Sequence, residues 1–272
     1  MRRILLLVLV AAATLAATSC HKGKGTIVFK NYEYEDNPFA NNEDTLGVQF
    51  SIKIQLPTDE KLSANESAVM KIIRDTLLSR MLEPYYNFQE PEQAIQDYCD
   101  SIRREFDDWG DVEVPGAQDV EPSFQWVQEL SLSLDLVSDD ILVFTGSIYA
   151  DLGGEHPSRT TLYFLFDRGS GALLKEETLL TGNEAHTTLG DMLKEQLKKN
   201  IASHEELQSN AIDWESVVPN GNFHITQDSI IYHYDTYELG DYDMGDIEIA
   251  LPCFKVKELL NPQSALYKFW FQ

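Results

Sequence analysis

Six histidines, three cysteines and forty-five carboxylates are the groups from which this 272-residue chain could build chemistry. His21, His156, His186, His204, His224 and His233 are scattered, without the short spacings of a metal-ligand motif. No HExxH helix, GxSxG elbow or phosphate-cradling Walker loop occurs, and no CxxC pair offers a zinc or redox centre. His156 is the most distinctive of the histidines. In Gly153-Gly154-Glu155-His156-Pro157 it follows two glycines, whose backbone bends sharply and admits close approach. It precedes a proline that restricts it to extended geometry. Such an imidazole could be a base or ligand displayed at a corner between strands. The structural reading, a histidine locking the corner through hydrogen bonds to backbone, is favoured, because the neighbouring sequence supplies neither a nucleophile nor an orienting triad. No catalytic residue is assigned.

Asp241, Asp243, Asp246 and Glu248 in DYDMGDIE form a second cluster, and hard cations want clustered carboxylates. The calcium-loop spacing fails, since Gly245 stands where an Asp or Asn ligand belongs. Ordinary loop acidity is the simpler reading, leaving Asp241, Asp243 and Asp246 as weak metal candidates and no cofactor expected. A carboxylate pair for sugar hydrolysis is equally undefined, because so many acids always provide some pair. His224 and His233 flank predicted strands and read as surface or strand residues.

The elements that would position these groups follow from periodicity. Val48, Phe50, Ile52, Ile54 and Leu56 alternate with Gln49, Ser51, Lys53 and Gln55, the period of a half-buried strand that Pro57 ends. Ser63 and Glu66 form a capping box for a helix whose face is Val69, Ile72, Ile73, Leu77 and Met81. A second helix runs from Pro91 to Gly110 with Ile95, Tyr98, Cys99, Ile102, Phe106 and Trp109 as its stripe. Beyond a loop from Pro115 to Pro122, Leu130, Leu132, Leu134 and Leu136 mark a strand that Asp139-Asp140 turns into ILVFTGSIYA as a hairpin. TTLYFLF is a further strand, and the glycines of DRGSG suit its turn. A helix with Leu189, Met192, Leu193, Leu197 and Ile201 inward follows. Two short strands about Gln227-Asp228-Ser229 come next, then a strand IEIALPCFKV that Pro252 confines to an edge or bend. The final ALYKFWFQ is apolar enough to dock. The expected fold is α+β: antiparallel sheets packed with helices in two intimately associated α/β subdomains, 26–174 and 175–272.

The amino terminus reads as a secretory signal: Arg2 and Arg3, an apolar run from Ile4 to Ala13, then small residues up to Cys20. The expectation is a lipoprotein signal over residues 1–19, a lipidated Cys20 and a tether over 20–25. An ordinary secretory cleavage nearby is the alternative. Several acyl chains on Cys20 would anchor the protein to the cell envelope, at the outer membrane and facing the periplasm or the surface. Loss of the signal takes the formal charge from −24 to −26. That balance repels nucleic acid and anionic headgroups and attracts cationic partners. Cys99 and Cys253 could bridge in an oxidising compartment, although Cys99 falls on a helix face where reduced cysteine serves as a small core residue.

GGEHPSRTTLYFLFDRGSGALLKEETLL resembles the Gly-Gly-Ala-His corner, strand and glycine-containing turn of a bacterial envelope family, with Glu155 in place of the usual alanine. FHITQDSIIYHYDTYELGDYDMGDIEIALPCFKV is similar to its carboxy-terminal signature, a Tyr-Glu pair before an acidic or alanine-rich loop and a strand ending near proline. The family comprises the extracytoplasmic part of lysozyme-sensing anti-sigma factors (RsiV-like), the amino-terminal region of PdaC-like peptidoglycan deacetylases, and many lipoproteins of unknown function. The resemblance implies an α/β fold without a catalytic site of its own, recognising lysozyme or peptidoglycan. It carries Gly153, Gly154 and His156 and the Tyr237-Glu238 pair as architectural or binding residues. A glycan-modifying enzyme centred on His156 is the alternative function.

Overall fold

The computed structural model describes residues 26–39, 46–85, 90–110, 125–182, 184–203 and 211–272. The signal, Cys20 and the tether, together with His21, His204 and the loop from Pro115 to Pro122, lie outside them. The side chain of Trp109 is likewise not described.

Two antiparallel strands, β1 (Phe29–Asp36) and β2 (Gly47–Pro57), open the fold with Phe29 opposite Pro57 and Asp36 opposite Phe50. The alternation of β2 is realised as the sequence dictates: Val48, Phe50, Ile52, Ile54 and Leu56 are all buried. Its other neighbour, β3 (Gln125–Val137), runs parallel to it, Gly47 opposite Gln125 and Ile54 opposite Leu132. The expected α+β fold of sheets and helices is present, with this parallel pair added to the antiparallel ones. Parallel strands need a long crossover, and α1 (Ala64–Met81) and α2 (Pro91–Gly110) supply it between β2 and β3. With β4 (Ile141–Asp151) and β5 (Ser158–Asp167) the sheet has order β1-β2-β3-β4-β5.

Helix α1 starts at the predicted box: Ser63 Oγ accepts from the Glu66 amide, and the Glu66 carboxylate accepts from the Ser63 amide at 3.0 Å. Its inner face is Met70, Ile73, Leu77, Leu78 and Met81. The expected stripe sits one position off at its start, so Ile72 is exposed. In α2, Ala94, Ile95, Tyr98, Cys99 and Ile102 are buried, and the Phe106 ring meets Trp126 edge-on at 5.2 Å.

Both described cysteines are free thiols, which overturns the suggested Cys99–Cys253 bridge. Cys99 packs inside the core of the first unit, while Cys253 opens a short helix of the second. Burial pushes the Cys99 thiol up to about 12. At pH 8 Cys99 will therefore resist a disulfide reagent while the chain is folded and react on denaturation, a difference readable by mapping the labelled cysteines by mass spectrometry.

The chain divides into two compact units, and the division differs from a single cut after Leu174. It passes through β3, β4 and β5, so that among the described residues the second unit comprises 134–145 and those from Thr161 onward. This unit holds α3 (Glu176–Leu179), α4 (Ala185–Ser203) and the antiparallel sheet β6 (Phe223–Ile225), β7 (Ser229–Tyr234), β8 (Ile247–Pro252). It ends in α5 (Cys253–Val256) and α6 (Ala265–Phe271). Leu189, Leu193 and Leu197 of α4 are buried in one cluster with Phe223, Tyr232 and Ile249. The apolar terminus docks: Tyr267, Phe269, Trp270 and Phe271 pack on this core, and the Trp270 indole donates to the Thr226 carbonyl at 3.0 Å.

Candidate functional site

In an antiparallel sheet, directly opposed residues share a face. Phe223 and Ile249 flank Tyr232, Ile225 and Leu251 flank Ile230, and Ile247 faces Tyr234; this set makes the core face and is buried throughout. The alternate set reads His224–Ile231–Ala250 in one row and His233–Glu248 in the next. Asp235 follows His233 by two residues and Asp246 precedes Glu248 by two, so both extend that second face. Register thus gathers two histidines and three carboxylates on one side of a three-stranded sheet.

His233 is the centre of this face, with only 6% of its side chain exposed. Its Nε2 lies 3.0 Å from Asp235 Oδ1, and its Nδ1 lies 3.5 Å from Glu248 Oε1 without forming a hydrogen bond. The same Glu248 oxygen is 3.5 Å from His224 Nε2, also buried and unbonded, and accepts from the Tyr163 hydroxyl at 3.5 Å. Tyr163 reaches over from β5, its ring stacked on His224 at 4.4 Å and edge-on to His233 at 5.6 Å. His233, Asp235 and Asp246 offer ligand atoms that all lie within 4.8 Å of one another.

The electrostatics follow from this packing. Burial alone would lower the pKa of His233, but the hydrogen bond and charge of Asp235, with Glu248 and Asp246 behind, raise it above its ordinary value. His224 goes the other way, lowered by burial, with the His233 charge adding to the effect and Glu248 only partly opposing it. Burial and the Glu248 charge push the Tyr163 phenol up to about 12. The face is thus a carboxylate-rich cradle around a buried imidazole.

Side chains, not a strand ladder, hold β5 to this sheet. Asn222 donates to the Thr161 carbonyl at 2.7 Å and accepts from the Tyr163 amide at 3.1 Å, while Asp235 Oδ1 accepts from the Thr161 amide at 3.0 Å. The Asn220 amide donates to the His233 carbonyl at 2.8 Å. Asp246 Oδ1 takes both the amide and the hydroxyl of Thr236, at 2.9 and 2.7 Å.

The residues singled out from sequence fall in different places. Tyr237 and Glu238 occupy the turn after β7. The Glu238 carboxylate accepts from the Asp235 amide at 2.7 Å and closes the turn, and burial raises its pKa. Tyr237 holds φ at 76° and is 61% exposed, its ring 5.6 Å from that of Tyr242. Gly240 nearby faces the Ala211 carbonyl so closely that an added Cβ would come within 2.7 Å of it, which excludes any side chain. Asp246 joins the His233 group, whereas Asp241 and Asp243, exposed beside the turn Tyr242–Met244, do not.

The corner at 153–156 is a bend, and Gly153 alone needs glycine there, at φ 77°. An added Cβ on Gly154 would meet only the His156 carbonyl, at an ordinary 3.8 Å. The His156 side chain is exposed. Backbone conformation makes this corner. Sequence reasoning passed over Tyr163 and Asp235, read His224 and His233 only as surface or strand residues, and placed Glu248 only among the loop acids. The available signal was the alternation in His233-Tyr234-Asp235 against Asp246-Ile247-Glu248.

The described helices include none long and apolar enough to cross a membrane. No protein with a curated description matches the chain. Two crystal structures are similar in fold. A DUF3298 family member from Bacteroides fragilis has TM-score 0.73 at 20% identity, covering 88% of this chain and 96% of its own. A DUF3298 family protein from Pseudomonas aeruginosa PAO1 has TM-score 0.59 at 15% identity, with the same coverages of 88% and 96%. Residues 177–253, which carry α4 and the whole polar sheet face, match the family model DUF3298, a protein of unknown function.

Proposed function

We propose that the protein is a lipid-anchored envelope lipoprotein with a binding role and no reaction of its own, recognising a cationic protein of the lysozyme class. The supporting observation is the turn from Tyr237 to Glu248. Two neighbouring tyrosines, Tyr237 and Tyr242, are exposed there among the exposed Asp241, Asp243, Asp246 and Glu248. Tyrosine supplies large contact area at low entropic cost, and surrounding acids steer a basic partner. The positive φ of Tyr237 fits this use, since such conformations in non-glycine residues cost about 1–3 kcal/mol and concentrate at functional sites. The net charge of −24 acts in the same direction at long range. Anchorage at Cys20 rests on the amino-terminal signal pattern alone. Peptidoglycan is the competing ligand. An enzyme centred on His156 is not carried further, because that exposed side chain stands on a bend.

Calorimetry against hen lysozyme at low salt tests this reading. Measurable affinity is expected, falling as salt rises, and the double substitution Tyr237→Ala with Tyr242→Ala should weaken it by tenfold or more. Sedimentation with purified peptidoglycan forms the parallel arm. No lysozyme binding at low salt, or binding unaffected by loss of both rings, would remove the lysozyme reading.

A further inference from the structure

We propose that the polar face of the β6-β7-β8 sheet is a binding site for a divalent cation of the zinc class, with His233 Nε2, Asp235 and Asp246 as its protein ligands. Three observations converge on it. The ligand atoms of these residues lie within 4.8 Å of one another. A tetrahedral ion with bonds of about 2.1 Å needs edges of roughly 3.4 Å, so the three groups draw together slightly around the ion.

The second observation is that both carboxylates are pre-positioned with an oxygen to spare. Asp235 spends Oδ1 on the Thr161 amide and His233, and Asp246 spends Oδ1 on Thr236. Oδ2 of each makes no hydrogen bond among the described residues. The third is the buried, unbonded Nδ1 of His233. An imidazole that ligates a metal through one nitrogen carries its proton on the other and donates it to a carboxylate. Glu248 stands 3.5 Å from that nitrogen, where its carboxylate would accept such a hydrogen bond. With the cation in place, His233 Nε2 gives up its proton to become a ligand, Nδ1–H gains its acceptor, and the crowded negative charge of Asp235, Asp246 and Glu248 is offset. Mixed imidazole and carboxylate donors suit zinc and its neighbours, whereas calcium prefers oxygen alone. Asp246 and Glu248 keep the site open to solvent.

Titration of the full-length chain with Zn²⁺ by calorimetry decides the matter. One site with a Kd of about 10 μM or tighter is expected. Asp246→Asn and Asp235→Asn each retain an Oδ1 to accept the existing hydrogen bonds, so they remove ligand charge while sparing the scaffold. Each should weaken that site at least tenfold, and Glu248→Gln by about 10–100-fold. His156→Ala, in the other unit, should leave it unchanged. Circular dichroism checks that each variant is folded, and Asp246→Asn alone decides should Asp235→Asn not fold. Absence of a Zn²⁺ site up to about 1 mM, undiminished binding in the Asn variants, or a preference for Ca²⁺ over Zn²⁺ would each overturn the proposal.

Discussion

Phe50→Ala will destabilise the first unit by about 3–5 kcal/mol, a large part of the 5–15 kcal/mol that holds a typical domain together. Phe50 is fully buried on β2. Its ring meets Tyr34 edge-on at 6.2 Å and lies under the Arg103 guanidinium at 4.9 Å. Arg103 is held in place by Asp36 at 2.6 Å, Tyr34 Oη at 2.6 Å and Asp100 at 2.8 Å. Truncation therefore opens a cavity and removes the ring over which this half-buried ion network is arranged. Phe50→Leu keeps most of the volume and should cost considerably less, about 1–2 kcal/mol. Urea unfolding monitored by circular dichroism, with hydrogen exchange of the β2 amides, measures both. A loss below about 1 kcal/mol for the alanine variant would mean that the site collapses around the gap, and that Phe50 is not the anchor its burial implies.

How much of this was readable beforehand differs between the two units. The alternation in β2 and the capping box of α1 are local signals, and both were realised because nothing tertiary competes with them. The parallel pairing of β2 with β3 was hidden. A period of two reports which face is buried, not which neighbour lies alongside or in which direction. The inner face of α1 was misjudged because Val69 and Ile72 are apolar without being central; Met70 and Leu78 complete the true stripe. The fate of the cysteines depended on tertiary placement, which spacing does not encode. The polar sheet face was the largest omission. His233 and Glu248 become neighbours only through a register set by the turn and loop between Asp235 and Asp246. Tyr163 reaches it across a longer separation still. His156 drew attention for its unusual neighbours, yet those neighbours shape a bend. His233 sits in an ordinary strand sequence, and its surroundings are assembled from elsewhere in the chain.

Asn222→Ala is expected to cost the second unit about 2–4 kcal/mol, more than its single half-buried side chain would suggest. The amide occupies the place of a missing strand partner. It pairs with the carbonyl of Thr161 and the amide of Tyr163, both on β5. Alanine leaves both backbone groups without their acceptor and donor, and an unsatisfied buried group costs about 1–3 kcal/mol. Asn222→Asp preserves the acceptor but loses the donor and adds charge beside Asp235, so it should rescue little. The effect should also be directional. Thr161 keeps its own amide bond to Asp235, so the Tyr163 amide should lose protection from hydrogen exchange more than the Thr161 amide. Because Tyr163 stacks on His224 and donates to Glu248, its loosening should reach the polar face and weaken any cation held there, without removing a ligand. Unchanged protection at Tyr163 with a stability change under about 0.5 kcal/mol would show that water replaces the amide on β5 at little cost, and that the polar face is held by its own sheet alone.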